Sequence, residues 1–144
     1  MGRWDVVVQG ENGKREQVQI ENRLSNAGLN LMRDALNGDA VALELTHVAL
    51  GTSDGAINDA DTALGAEGFR TAFISSSKPS TGSLQKTAIV LDSEAVMNIR
   101  EIGIFAGGTG VAGSGTLVSR VLWSRNKTAL ESITFLRTDT IGRA

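Results

Sequence analysis

The sequence predicts an α+β domain of mainly antiparallel β-structure, sandwich-like, with six to eight strands, one amphipathic helix near residues 26–37 and a glycine-rich hairpin loop at 107–115. Three observations lead there. Short runs of β-branched and alternating residues recur between turn residues, the pattern of half-buried strands. Only one segment places apolar residues at helical spacing between stop and start signals. Seventeen glycines against one proline supply tight turns without a collagenous or proline-rich composition. The 144 residues match one ordinary domain, and 1–144 is expected to fold as a single unit. At that length folding hides roughly 68–70% of the unfolded chain's surface, so a core can form without staples.

The elements follow in order. "WDVVVQGENGKREQVQIENR" reads as a strand pair over 4–22, with Val6–Val8 and Val18/Ile20 as β-branched runs and Gly10–Gly13 as the turn. In "SNAGLNLMRDALNGD" Ser25 or Asn26 caps a helix that Asn37-Gly38 stops. Leu29, Met32 and Leu36 recur on the face expected to pack, opposite a polar face of Asn30, Arg33 and Asn37. "ALELTHVALG" is a strand ending at Gly51, and "TSDGAINDADTALGAEG" a polar loop in which Asp61 or Thr62 caps a single turn through Ala63 and Leu64. "FRTAFISS" alternates as one strand, with Phe69, Thr71 and Phe73 facing one way. After the turn "SKPSTGS", the runs "LQKTAIVLD", "VMNIREIGIFAG", "TLVSRVLWS" and "TALESITFLR" are four further strands. The segment 138–144, "TDTIGRA", is expected to be loose or to dock on a partner.

Composition removes whole classes of function. The net charge is −2, from 14 basic and 16 acidic residues spread along the chain, so no basic stripe exists to bind nucleic acid. Aromatics make up 4% with no tyrosine, which denies a stacking platform for single strands. The absence of cysteine excludes disulfides, zinc–thiolate sites and cysteine nucleophiles. No apolar run approaches the ~18 residues of a membrane span, and the charged opening is unlike a secretory signal, so a soluble chain made in a reducing compartment is expected.

Individual motifs reduce to ordinary structure. Gly108-Thr-Gly110-Val-Ala-Gly113 spells the G-x-G-x-x-G of a dinucleotide-binding turn, but that turn must open a helix whose N-terminus holds phosphate. Here "TLVSRVLWS" follows, which is strand language, so the glycines read as a hairpin tip. His47 lies in a strand without a triad partner at a telling spacing and reads as structural. Asp54, Asn58, Asp59 and Asp61 lack calcium-loop spacing, and Asx-turns and a helix cap explain them. Glu67 with Arg70 reads as a modest surface ion pair or as a loop fastener, and Arg100-Glu101 as cross-strand partners. No nucleophile stands beside a base and no ligand cluster appears, so no catalytic residue, cofactor or metal is expected and the chain does not read as an enzyme.

Four segments taken together resemble one family: "LSNAGLNLMRDALNGDAVALELTHVALGTSDG", "DADTALGAEGFRTAF", "NIREIGIFAG" and "GTLVSRVLW". Their order is similar to the N-terminal, baseplate-attachment module of bacteriophage tail fibre and tail-collar fibre proteins, over roughly residues 24–123. The matching positions are Asn26-Ala27-Gly28, Val48–Gly51, Thr62 and Leu64 with Glu67 and Arg70, and Ile99–Phe105. The resemblance implies a virion structural protein, commonly trimeric, made in the bacterial cytoplasm and contacting other baseplate or fibre proteins. No fibre shaft follows the module and a strand pair precedes its helix, which suggests a baseplate or tail-tip component, or an adaptor for a separate fibre. The alternative is a host-surface receptor or glycan-binding module, against which the low aromatic content argues.

A small β-rich domain with long glycine loops is suited to interfaces, because edge strands can pair across subunits. The interface candidates are Trp4, Val6 and Val8 near the N-terminus, Gly108, Gly110, Val111 and Gly113 in the hairpin tip, and Thr140 and Ile141 in the tail. The tip is expected to be loose in the free chain and to become ordered against a neighbouring subunit.

Overall fold

The computed structural model describes residues 2–143 and contains nine strands and one α-helix. The strands are β1 (Gly2–Gln9), β2 (Arg15–Glu21), β3 (Leu45–Gly51), β4 (Glu67–Ala72), β5 (Ser75–Ser77), β6 (Ser83–Val90), β7 (Asn98–Ala106), β8 (Thr116–Asn126) and β9 (Ser132–Thr140); helix α1 spans Asn26–Leu36. They form a five-stranded sheet in the order β2-β1-β9-β6-β5 and a four-stranded sheet in the order β4-β3-β7-β8, with every pairing antiparallel. The α+β class, mainly antiparallel with one helix, is therefore the observed one.

Alternation builds the core. Trp4, Val6 and Val8 of β1 and Ile133 and Phe135 of β9 meet Val48 and Leu50 of β3 and Ile102 and Ile104 of β7. Trp4 and Trp123 both set their rings edge-on to Phe135, with centroids 5.9 and 6.1 Å away. A smaller cluster of Ala49, Leu64, Phe105 and Leu117 lies on the opposite face of the four-stranded sheet. That sheet is thus covered on both sides, by the other sheet and by the loop between β3 and β4.

The count of nine arises because "FRTAFISS" is two strands in two sheets. The Phe73 amide donates to the Thr46 carbonyl at 3.0 Å, and the next amide, Ile74, donates to Thr87 in the other sheet at 2.8 Å. Consecutive amides therefore bond to opposite layers, and the chain crosses the sandwich at that peptide without a glycine or proline to mark it.

Helix α1 is capped as expected: Ser25 Oγ accepts from the Gly28 amide at 2.9 Å while donating to the Leu117 carbonyl at 2.7 Å. Its polar face is the predicted one, with Asn30, Arg33 and Asn37 exposed and Met32 of the apolar stripe half-buried, but the two leucines of that stripe are not packed. Leu29 is 52% and Leu36 90% exposed, whereas Gly28 is buried and Leu31 reaches the core. The cause is the close seating on β8. A Cβ at Gly28 would lie 2.7 Å from the Val118 carbonyl oxygen, so the glycine faces the sheet and the leucine stripe is rotated away.

Two further expectations are corrected. No helical turn runs through Ala63 and Leu64; the turn closes earlier, where the Asp61 amide donates to the Asn58 carbonyl, and Leu64 instead caps the outer apolar cluster. The supposed tail is in large part sheet: Thr138, Asp139 and Thr140 belong to β9, paired with β1 and β6. Ile141 is 86% exposed, although its amide still donates to the Gly82 carbonyl, and Ala144 lies outside the described residues.

Candidate interaction surface

The outer face of the four-stranded sheet carries the chain's most organised polar chemistry, two arginine–carboxylate clasps that each hold a loop. The first is Glu67 with Arg70. Residues three apart in a regular strand point to opposite faces. Here the register of β3 with β4 jumps from Leu50↔Phe69 to Gly51↔Glu67, so Gly68 is an extra, bulged residue that returns both side chains to one face. Arg70 Nε and Nη2 grip the two Glu67 carboxylate oxygens at 2.8 and 2.9 Å. The side chains are 3% and 10% exposed, so this is a buried fork rather than a modest surface pair. Arg70 Nη1 donates to the Thr109 and Ser114 carbonyls at 3.1 and 3.0 Å, and Glu67 accepts from the Gly113 amide at 3.2 Å. The guanidinium stacks 4.4 Å over the Phe105 ring.

This clasp settles the meaning of the glycines. The loop joins the antiparallel strands β7 and β8 and opens no helix, so it does not have the strand–turn–helix geometry of a dinucleotide-binding turn. Gly107, Gly113 and Gly115 adopt φ of +62°, +77° and +81°, the left-handed region the tip requires. The tip is fastened to Arg70 and Glu67 of its own chain, which departs from the expectation of a loop ordered only by a neighbour. Gly110, Val111 and Gly113 are exposed at its apex and Gly108 is half-buried.

The second clasp is centred on Glu101, which is fully buried. Its carboxylate accepts from Arg120 Nε at 2.6 Å and from the amides of Gly65, Ala66 and Ser53 at 2.9, 2.8 and 3.4 Å. Arg120 also donates to the carbonyls of Gly55 and Ala56 at 2.9 and 3.3 Å, and to Asp61 at 3.3 Å. One ion pair between neighbouring strands thereby fixes both ends of the loop at 52–66. Arg100 also reaches β8, through Asn126 Oδ1 at 2.8 Å. Cross-strand partnership was legible for both residues of Arg100-Glu101, but Arg120 was missed; its only sequence signal is a cation inside an apolar β-branched run.

The remaining candidates are dispersed. His47 lies on the same face, its ionised form disfavoured first by burial and then by the Arg70 charge, which together hold its pKa below 6.5 against the opposing pull of Glu67. In the acidic loop, Asp59 forks to Arg23 at 2.7 and 2.9 Å and Asp61 turns to Arg120. Among the described residues no group of three or more His, Asp or Glu side chains could hold a metal ion. No helix there is long and apolar enough to cross a membrane.

Trp4, Val6 and Val8 are corrected as interface candidates. They are 0%, 0% and 4% exposed in the core, and β1 is flanked by β2 and β9, so it offers no free edge. The edge at that end of the sheet belongs to β2. Comparison with known proteins finds no match: no protein-family model, curated protein or solved structure aligns with the chain.

Proposed function

We propose that this chain is a structural component of a bacteriophage tail, a baseplate or tail-tip protein or an adaptor that attaches a tail fibre, made in the host cytoplasm and acting through subunit packing. The observation that supports this reading is convergence. The segments carrying the tail-fibre resemblance are far apart in sequence, yet their distinctive residues form one cluster: Leu64 packs on Gly103 and Phe105, Arg70 stacks on Phe105, and Glu101 binds the amides of Gly65 and Ala66. On this reading those motifs serve as loop clasps of an assembly module. The receptor-binding alternative is weaker, because every Trp and Phe among the described residues is buried or half-buried, leaving no open aromatic platform for a sugar.

In the proposed particle the chain is homo-oligomeric, a trimer by the family resemblance, and meets other tail proteins. Immunogold electron microscopy of particles with an antibody to the chain tests this. Label confined to tails supports the reading. Purified tails that lack the chain would refute it.

A further inference from the structure

Four strands end the two sheets, and they are not equally available. β5 has three residues, β4 turns into the opposite sheet at Phe73, and the start of β8 is covered by the bridge from Leu24 to Ser119 and by α1. β2 is different. It is exposed from Arg15 to Gln19, pairs only with β1, and leaves its outer row of backbone groups without a strand among the described residues. An open edge of that length is a template for another strand, which proteins block with charged side chains, inward-pointing charges, proline, bulges or a cover.

β2 has no proline, its inward-pointing Glu16 is paired with Arg125 of β8, and its outward charges, Arg15 and Glu21, complement themselves rather than repel a second copy. The strand reads Arg15-Glu-Gln-Val18-Gln-Ile-Glu21. An antiparallel copy centred on Val18 sets Arg15 opposite Glu21, Gln17 opposite Gln19, Glu16 opposite Ile20, and Val18 opposite Val18 of the second copy. Parallel in-register pairing would instead stack Arg15, Glu16 and Glu21 each on itself; an antiparallel slip by one residue sets Glu16 against Glu21 in one direction and, in the other, loses the Arg15–Glu21 pairs. Within the chain Arg3 already stands opposite Glu21, so the centred register continues the row with alternating sign, Arg3–Glu21–Arg15 of the second copy. On the core side, Val18 is 40% exposed and borders a groove of about 240 Å³ between the sheets, lined also by Glu16, Trp123 and Arg125. Glu16 of β2 bridges this seam to Arg125 of β8, and Val18 beside that ion pair stays exposed where a second Val18 would cover it.

We propose that β2 pairs antiparallel with β2 of a second copy of this chain, across a two-fold axis at Val18, so that the two five-stranded sheets become one. The contact yields a dimer, or joins two trimers. It rests on the self-association in the reading above but not on residence in a tail.

Light scattering of the purified chain across a concentration series tests it, with Arg15→Glu, Glu21→Arg and the double reversal as variants. Both side chains are exposed, and thermal unfolding checks that the variants stay folded. The expected result is an even-numbered assembly. Each single reversal weakens it about tenfold or more, since two-fold symmetry repeats the repulsion twice, and the double reversal restores it. An assembly that neither reversal alters, or that the double variant fails to restore, overturns the β2 contact while leaving self-association standing. A chain that stays monomeric at every concentration overturns both.

Discussion

Replacing Glu101 by alanine should be the most damaging single change on the outer face of the four-stranded sheet. The carboxylate is fully buried and its partner Arg120 is 3% exposed, so the substitution strands a desolvated cation. It also orphans the amides of Gly65 and Ala66, which lie 2.9 and 2.8 Å from the carboxylate. Removing one member of a buried pair typically costs about 3–5 kcal/mol, and the two loop amides, on exposed residues that water can reach, add less than the ~1–3 of a fully buried orphaned donor. The contributions overlap, because Arg120 keeps Asp61 and the carbonyls of Gly55 and Ala56. The expected loss is therefore ~3–5 kcal/mol, a large part of the ~5–15 kcal/mol that holds a typical domain. Urea unfolding followed by the fluorescence of Trp4 and Trp123 measures it. Glu101→Gln should fare little better, since the amide nitrogen must face either Arg120 Nε or the loop amides, donor against donor. A loss below about 1 kcal/mol for the alanine variant would show that the clasp is not closed in solution and refute the reasoning.

The other expectations are smaller. Gly28→Ala should destabilise by ~1–3 kcal/mol in the same unfolding assay, although alanine is the better helix former, because its Cβ meets the Val118 carbonyl; a stabilised variant would mean that α1 is seated differently. Arg70→Met keeps the contact with Phe105 but loses every donor to the glycine loop, so hydrogen exchange at Gly113 should quicken about tenfold, the equivalent of ~1.4 kcal/mol of local opening. Stability should fall on acidification in two stages. Because the His47 pKa is held below 6.5, its contribution is complete above that value and is lost as the pH drops beneath it, and His47→Gln should flatten this part of a urea-midpoint profile. Burial pushes the Glu131 carboxyl up, but the Thr128 amide and Arg125 more than offset it and leave its pKa below 4.5; that contribution is present above 4.5, lost as the pH falls through the folded value, and absent in Glu131→Gln.

Where local chemistry decides the outcome, the structure could be read from the residues. Val6 and Val8 alternate into the core, Ser25 caps its helix, and Gly10–Gly13 turns the first hairpin, each by a rule that spans a few residues. What escaped reading depends on distant partners. The break between β4 and β5 has no punctuating residue, since it is set by which carbonyl, Thr46 or Thr87, each amide finds. The apolar stripe of α1 pointed to a packed Leu29 and Leu36, but the approach of Gly28 to Val118 leaves both leucines exposed. Glu67 and Arg70 are out of phase for a strand until the bulge at Gly68 realigns them. Arg120 gains its role from a carboxylate nineteen residues away and from loop carbonyls farther still.

Buried ion pairs are weak evidence of stability, since apolar residues of equal volume often serve as well. The reason for charge at these two places lies in the loops. The segments at 52–66 and 107–115 have no ladder to satisfy their backbone, and an apolar side chain cannot accept from the Gly65 amide or donate to the Ser114 carbonyl. A carboxylate and a guanidinium supply several acceptors and donors from one point, so a single pair fastens a whole loop to the sheet. Loops fixed in this way lose little further entropy when a partner covers them, and binding then carries a smaller ordering cost than it would for a free glycine chain. The glycines at 107–115 therefore serve the backbone path of the tip, while Glu67 and Arg70 hold that path in place.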